Sequence, residues 1–308
     1  MTILISGSLA YDRIMDFPGK FSDHILPDKI HILNVSFMVN SLTERCGGTA
    51  GNIAYNLALL EEKPYVLATA GKDFGTYRER FEKLGLPFDG IVELHEEFTA
   101  SCYITTDKSN CQITGFNPGA MKFASLFQFE DIKKEEALAI ISPGNLEDMI
   151  GYCNYYKTAG ISHIVDPGQQ IPWLSGEQLD QMITGSTMFI SSDYELEMVK
   201  KATGFDIGDL QERTEIIITT FAEEGSLVLS RDKEEKIPVV TADEVKDPTG
   251  AGDAYRAGLI KGMVMKKDIT TSAKMGATCA SFCVEYNGTQ EHRFTIDAFW
   301  DRYNQAFQ

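Results

Sequence analysis

The sequence has few positive charges, and this shortage excludes several classes of protein. Its 308 residues include 28 Lys and Arg against 45 Asp and Glu, which gives a formal net charge of −17. Nucleic acids and anionic membrane surfaces require a basic footprint on the protein that binds them. We therefore expect neither a nucleic-acid nor a membrane partner. A phosphate-containing ligand would need a local field strong enough to overcome the charge of the whole chain.

Long apolar runs and paired cysteine motifs are absent as well. No stretch approaches the ~18 apolar residues that a membrane span needs, and Asp12 and Arg13 come too early for a signal peptide. The six cysteines are scattered, with no C-x-x-C pair and no histidine at zinc-binding spacing. Such cysteines are typical of reduced thiols in the cytosol. We expect a soluble protein of the cytoplasm.

Strand-like and helix-like patterns alternate along most of the chain. The predicted strands are Ile3–Ser8, Tyr65–Ala70, Leu138–Ser142, His163–Asp166, Met188–Ser191, Ile216–Thr220 and Ser226–Ser230. The predicted helices are Thr49–Leu60, Phe74–Leu84, Leu146–Ala159, Tyr194–Ala202, Asp253–Met265 and Ser272–Tyr286. Several strands are apolar on consecutive residues, as in a parallel sheet that is buried on both faces. The alternation predicts an α/β fold with three layers.

Two segments, 13–43 and 91–117, interrupt this alternation. The first resembles extended chain and has no convincing helix, and the second contains the predicted strands Ala100–Thr106 and Cys111–Phe116 joined by a polar turn. We expect a small β layer at the edge of the main sheet, with a long surface loop as the alternative. No linker or repeat divides the chain, so residues 1–308 should form one domain.

The most informative motif lies in residues 247–258, DPTGAGDAYRAG. Gly250, Ala251 and Gly252 precede a predicted helix, and their small size lets backbone N–H groups approach a ligand closely. The first turn of a helix has unpaired N–H groups and a partial positive charge, so this turn favours an anion. Asp253 would be costly beside phosphate unless it accepts a proton from an attacking hydroxyl. An Asp that caps an ordinary helix would give the same spacing.

This motif resembles the C-terminal signature of the PfkB, or ribokinase-like, family of carbohydrate and nucleoside kinases. Residues 47–54, GGTAGNIA, resemble a second signature of that family, and residues 7–12, GSLAYD, resemble its first strand with a substrate-binding Asp. The resemblance extends over essentially the whole chain. It implies a ribokinase-like fold, in which helices flank a mostly parallel central sheet and a small β-sheet lid covers the substrate. Segments 13–43 and 91–117 would then form the lid.

The resemblance also implies roles for individual residues. Asp253 would be the general base, and the N–H groups of Gly250, Ala251, Gly252 and Asp253 would form an anion hole for the phosphoryl group. On the substrate side, Asp12 would bind two hydroxyls of a sugar or ribose, and Asn52 would bind another. The residues that would pack against the sugar and hinge the lid are Gly47 and Gly48.

ATP and Mg²⁺ are implied by the same resemblance, with K⁺ as a further ion. The ATP-binding residues would be Thr219, Thr220, Gly225, Thr249, Gly288 and Gln290, although Phe221-Ala222 stands where the family usually has Leu-Gly. Glu195 would contact Mg²⁺ through water, with Asp166 on the same face, and Asp247 with Thr249 would offer oxygens to K⁺. Ser192 stands where the family has Asn in its N-x-x-E motif, and because Ser has a shorter, simpler side chain, we expect a raised Mg²⁺ requirement.

The acceptor is predicted to be a nucleoside, with adenosine first and inosine, guanosine or cytidine as alternatives. The chain resembles bacterial and archaeal nucleoside kinases of adenosine-kinase-like activity. Aromatic and sulfur side chains suit a flat base, and the residues expected to line its slot are Phe37, Met38, Cys102 and Phe116. Gln112 and Asn117 would bind the edge of the base.

Three other functions remain open from the sequence. A kinase of a free sugar such as ribose or fructose would share every catalytic residue. A non-catalytic nucleoside-binding protein would keep the fold without turnover. A Rossmann-type oxidoreductase fits the alternation but needs a glycine-rich turn after the first strand, where residues 7–12 have one glycine. The lid edge could also pair with a second copy to form a homodimer.

Overall fold

The computed structural model describes residues 1–25, 27–130, 132–231 and 233–308. Its strands are β1 Thr2–Ser6, β2 Ala10–Asp16, β3 Ser41–Gly47, β4 Tyr65–Gly71, β5 Ile91–Leu94, β6 Ala100–Thr106, β7 Gln112–Asn117, β8 Ala137–Ile141, β9 Ser162–Val165, β10 Ser186–Ser192, β11 Thr214–Thr220, β12 Ser226–Ser230 and β13 Lys233–Ile237. Its helices are α1 Thr49–Leu59, α2 Gly75–Leu84, α3 Leu146–Ala159, α4 Gly176–Ile183, α5 Asp193–Thr203, α6 Ile207–Arg213, α7 Ala251–Val264, α8 Ile269–Cys283 and α9 Ile296–Phe307. Within these residues, no helix has the length and apolar character to cross a bilayer.

The large sheet has the order β13-β12-β11-β10-β9-β8-β1-β4-β5. All neighbouring strands from β11 to β5 pair in parallel, and β12 and β13 pair antiparallel at one edge. Alternate residues of β1 enter two separate cores, because Ile3 and Ile5 pack in one cluster and Leu4 packs in the other. Helices therefore cover both faces of the sheet, and the predicted three-layer α/β fold is confirmed.

The small sheet has the order β3-β2-β6-β7. Strand β2 pairs antiparallel with β3 and parallel with β6, and β6 pairs antiparallel with β7. Short 3₁₀ turns at Phe21–Asp23 and Pro27–Ile32 lie between β2 and β3. Of the segment 91–117, β5 joins the large sheet and only β6 and β7 join the small one. The predicted β layer is therefore present beside the main sheet, built from four strands.

Most predicted elements appear within a few residues of their predicted bounds. Helix α9 is missing from the prediction although its buried residues Phe299 and Tyr303 are one helical turn apart, and other missed elements have weak patterns. Strand β13 reads KEEKI and has mostly exposed residues, as expected of an edge strand. Helices α4 and α6 have only 8 and 7 residues, so they offer too few turns for a period of 3.6 to stand out. These elements lie at the periphery and do not alter the fold class.

Candidate active site

The turn before helix α7 contains backbone N–H groups that have no partner among the described residues. Gly250 has a φ of +85°, and a Cβ at that position would lie 3.0 Å from two side-chain carbons of Thr289. The N–H of Ala251 donates to the carbonyl oxygen of Pro248. In the described residues, no acceptor pairs with the N–H groups of Gly252 and Asp253. Free donors at the positive end of a helix favour the binding of an anion.

Asp253 lies in the first turn of α7, beside these donors, and is partly buried. Asn52 donates from Nδ2 to Asp253 Oδ2 across 2.7 Å. Burial raises the pKa of Asp253 to about 6, with the negative charges of Asp166 and Glu195 adding to the rise and Arg256 and Asn52 opposing it. A carboxylate with a pKa near the working pH is suited to general base catalysis.

A buried ladder of hydrogen bonds fixes the orientation of Asn52. Gln290 Nε2 donates to Asn52 Oδ1 across 3.0 Å and to Tyr77 Oη across 2.7 Å, and Tyr77 Oη donates to the carbonyl oxygen of Gly47 across 2.8 Å. Because Oδ1 of Asn52 accepts from Gln290, its Nδ2 faces Asp253. The side chain of Gln290, assigned above to ATP, is 1% exposed and lies within this ladder.

The N-terminus of α1 positions Asn52 relative to the first strand. Gly48 has a φ of +85°, and a Cβ there would lie 2.6 Å from the carbonyl oxygen of Ser8. The side chain of Ser8 accepts a hydrogen bond from the N–H of Thr49 across 3.0 Å. Only glycine allows this close approach with this φ. The loop after β1 and the start of α1 are therefore held together at the carboxyl edge of the sheet.

The predicted substrate residues form a row across the small sheet. Asp12 pairs with Arg45 and with Cys102, and Cys102 pairs with Phe116, so the row shares one face. A Cβ on Gly47 would lie 2.7 Å from Asp12 Oδ2. Burial raises the pKa of Asp12, Arg45 lowers it, and Asp247 raises it. The charge of Asp247 thus acts on Asp12, so the two carboxylates lie near each other.

Four other predicted base contacts do not join this row. Asn117 lies on the opposite face of β7 by strand alternation, and its Oδ1 accepts from the N–H of Gly119. Gln112 is on the face of Phe116 but at the far end of the strand, opposite Thr106. Phe37 packs against two other aromatic rings, Phe17 and Phe21, at centroid distances of 4.8 and 5.2 Å, and Met38 beside it is 86% exposed.

The predicted ATP residues lie along the carboxyl edge of the large sheet and in adjacent turns. Thr219 and Thr220 end β11 beside the end of β10, and Gly225 has a φ of +92° in the turn before β12. Asp247 accepts hydrogen bonds from the N–H groups of Thr249 across 2.9 Å and Gly288 across 3.0 Å. Burial opposes ionisation of Asp247, but these hydrogen bonds lower its pKa. Asp247 thus ties the anion-hole turn to the segment at Gly288.

Ser192 and Glu195 form a reciprocal helix cap. Ser192 Oγ accepts from the N–H of Glu195 across 3.2 Å, and Glu195 Oε2 accepts from the N–H of Ser192 across 2.7 Å. Ser192 and Glu195 thus form an S-x-x-E capping box, through which Ser192 stabilises the start of α5. In the described residues, Glu195 Oε1 has no hydrogen-bond partner, so one oxygen is free to bind a water.

Asp166 follows β9 and is engaged by Arg256. Nη2 of Arg256 donates to Asp166 Oδ1 across 3.0 Å, and Nε donates to Oδ2. The part of the chain that the structure describes has no group of three or more His, Cys, Asp or Glu that could hold a metal ion. Mg²⁺ keeps several waters and needs few direct protein ligands, so Glu195 with its free oxygen fits a water-mediated Mg²⁺.

The chain is similar to known proteins in sequence and in fold. A family model described as pfkB family carbohydrate kinase matches residues 19–295, which include Asn52, Glu195 and Asp253 and leave out Asp12. The chain belongs to the PfkB family. The fold and family implied by the sequence motifs are therefore confirmed.

Solved PfkB structures resemble the whole chain. A nucleoside kinase of Burkholderia thailandensis in complex with inosine is 35% identical, with a TM-score of 0.87 over 99% of this chain and 98% of its own. The same kinase in complex with ADP-inosine has a TM-score of 0.84 at 36% identity, covering 99% of this chain and 96% of its own. A nucleoside kinase of Methanocaldococcus jannaschii is 30% identical, with a TM-score of 0.89 over 99% of each chain.

Sequence reasoning missed two residues of this PfkB site. Tyr77 lies in α2, and no motif marks it, because only the fold brings its hydroxyl to Gly47 and Gln290. Arg256 lies inside the recognised motif, three residues after Asp253. Its neighbours Ala254, Tyr255 and Ala257 suit a buried helix, and an Arg in such a helix is a signal because it is buried only with a partner.

Proposed function

We propose that this PfkB protein transfers the γ-phosphoryl group of ATP to the 5′-hydroxyl of a nucleoside. The observation that carries the proposal is the position of Asp253. Its carboxylate has a pKa of about 6 and lies in the same helical turn as the free N–H groups of Gly252 and Asp253. A proton acceptor and an anion site at one point suit phosphoryl transfer to an alcohol.

In the proposed mechanism, Asp253 accepts the proton of the acceptor hydroxyl as its oxygen bonds to the γ-phosphorus. The bond from that phosphorus to the bridging oxygen of ADP breaks in the same in-line displacement. The free N–H groups of Gly252 and Asp253 face the charge on the transferring group. Mg²⁺, when bound through water at Glu195, would neutralise part of the phosphate charge. K⁺ near Asp247 stays a prediction.

The row Asp12, Cys102 and Phe116 supports a nucleoside as acceptor. The carboxylate of Asp12 suits the paired hydroxyls of a ribose, and Phe116, 52% exposed on the same face, suits stacking on a flat base. The small sheet would act as a lid that closes over the acceptor and excludes water. Adenosine is the first candidate, and inosine, the ligand of the Burkholderia relative, is the second.

A coupled assay of ADP release tests the proposal. ATP and Mg²⁺ are supplied with adenosine, inosine, guanosine, cytidine, ribose or fructose, and ³¹P NMR identifies the product. We expect turnover with a purine nucleoside and a 5′-monophosphate as product. Turnover with ribose or fructose but with no nucleoside would favour the sugar kinase. Binding of a nucleoside without turnover would favour the non-catalytic protein.

A matched pair of variants tests the base slot. Phe116 and Ile113 are both exposed side chains of β7, but strand alternation places them on opposite faces. Phe116→Ala should raise KM for the nucleoside, and Ile113→Ala should leave it unchanged. Equal effects of the two variants would remove Phe116 from the slot.

A further inference from the structure

Arg256 is a buried cation held in one orientation. Its side chain is 9% exposed, and that of Asp166 is 3% exposed. Nε and Nη2 of the guanidinium each donate to a different oxygen of the Asp166 carboxylate. A two-point pair of this kind fixes the plane of the guanidinium as well as its position. The direction of the third nitrogen, Nη1, is therefore fixed too.

Nη1 lies against the turn that carries the free N–H groups. Side chains of a helix lean toward its N-terminus, so a residue at i+4 covers the turn at i. Arg256 is at i+4 from Gly252, and a Cβ on Gly252 would lie 2.8 Å from Nη1. Nη1 has no acceptor among the described residues. It is also absent from the unpartnered polar atoms that are fully buried in those residues, so solvent or a ligand can reach it.

Acidic side chains surround Arg256, so a positive charge at this position is favourable. The guanidinium interacts with the carboxylates of Asp166, Asp253 and Glu195, so one positive charge faces three acidic groups. A phosphoryl group entering beside Asp253 would add further negative charge in a chain whose net charge is −17. Backbone dipoles alone offer only a partial positive charge. A directed guanidinium nitrogen would add a charged hydrogen-bond donor to these partial charges.

We propose that Nη1 of Arg256 binds an oxygen of the phosphoryl group in transit, and that Asp166 is the residue that positions it. The inference rests on the proposed kinase activity. Arg256 would then be a catalytic residue that stabilises the charge of the transition state. In the alternative role Arg256 only balances buried carboxylates, among them Asp253, whose pKa it lowers. Its loss would then lower stability and move the low-pH limb of kcat to higher pH, and kcat would recover at high pH.

The test uses variants that leave no unpaired buried charge. The double variant Asp166→Asn with Arg256→Gln replaces the ion pair by a neutral pair of similar size. Arg256→Lys keeps a positive charge opposite Asp166 but has one nitrogen in place of three, so it has no counterpart of Nη1. Arg213 and Asp180 form another Arg–Asp ion pair at α6 and α4, with Nε 2.8 Å from Oδ1. The double variant Asp180→Asn with Arg213→Gln is the control at this more exposed pair.

We expect both Arg256 variants to lower kcat by at least about 10²-fold, the usual cost of removing one donor to a developing anion. KM for the nucleoside should change little, and the control pair should retain wild-type kcat. A second readout is the thermal shift with nucleoside and ADP plus aluminium fluoride, which mimics the transferring group. The variants should lose the extra stabilisation given by the fluoride complex and keep that given by ADP alone.

The outcomes separate this inference from the proposed function. Wild-type protein that is inactive on every acceptor overturns the proposed function itself. Active wild-type protein together with a fully active Arg256→Lys or double variant overturns the role of Arg256 alone. If the double variant fails to fold, Arg256→Lys decides, because a folded Lys variant that retains both kcat and the fluoride response contradicts the inference.

Discussion

Asn52 donates a hydrogen bond from Nδ2 to Oδ2 of Asp253 across 2.7 Å, between residues 201 positions apart in the chain. The bond joins the start of α1 to the start of α7. It also lowers the pKa of Asp253 against the effect of burial. The two family signatures that contain these residues thus meet in one hydrogen bond, and Gln290 fixes its direction from the other side of Asn52.

Replacing Asn52 by Leu should raise the pKa of Asp253. The change keeps the size of the side chain but removes the donor, so the carboxylate loses one of the interactions that oppose burial. The low-pH limb of kcat/KM should move to higher pH. Asn56→Leu is the control, because Asn56 is buried one turn later in α1 and bonds His292. It should lower stability without moving the limb, and equal movement in both variants would refute the coupling.

Ionisation of Asp253 as the pH rises should increase turnover and decrease the stability of the fold. As the base it must be ionised, so kcat/KM should fall as the pH drops through about 6, the pKa of Asp253. Its pKa is raised on folding, so between the unfolded value of 3.8 and about 6 the folded state binds more protons, and stability falls as pH rises. Asp253→Asn should therefore increase the free energy of unfolding at pH 8 more than at pH 5. Equal effects at both pH values would argue against a raised pKa.

Gly250→Ala should disrupt the anion-hole turn. A non-glycine residue at positive φ costs about 1–2 kcal/mol, and the added Cβ would also press on Thr289 at 3.0 Å. Gly160→Ala is the control, since Gly160 has a φ of +71° and nothing within 4 Å of the added Cβ. Chemical denaturation should show a loss for both variants. Only Gly250→Ala should also lower kcat, and retained turnover would separate the turn from catalysis.

Ser192→Asn should lower the Mg²⁺ concentration needed for half-maximal activity. Asn caps a helix about as well as Ser, so α5 should remain folded and the variant isolates the metal effect. Ser192→Ala is the comparison, because it removes the cap to Glu195 at a cost of about 1 kcal/mol without adding an amide. Titration of activity with Mg²⁺ is the measurement. An unchanged Mg²⁺ dependence in Ser192→Asn would refute the expected raised requirement.

The sequence predicts the fold well because the elements of the large sheet have strong patterns. Strands such as β8, apolar on every residue, can be read without a structure. The ladder through Tyr77 could not be predicted, since hydrogen bonds between distant segments leave no local pattern. The alternation of side chains along β7 explains why Asn117 does not join the predicted base contacts. Phe116 and Asn117 are neighbours in sequence, and pleating places them on opposite faces of the sheet. Arg256 lies within the motif and Asp166 was predicted separately, but only the fold shows that the two residues pair.

The most direct test of the account is the turnover of Asp253→Asn with ATP, Mg²⁺ and the best nucleoside found in the acceptor panel. The Asn side chain keeps the shape of Asp253 and can still accept the hydrogen bond from Asn52, so the fold and nucleoside binding should persist. We predict that kcat falls by at least about 10²-fold, the usual contribution of a general base, while the nucleoside still raises Tm. Near-wild-type kcat in a folded variant would contradict the central claim that Asp253 accepts the proton of the acceptor hydroxyl.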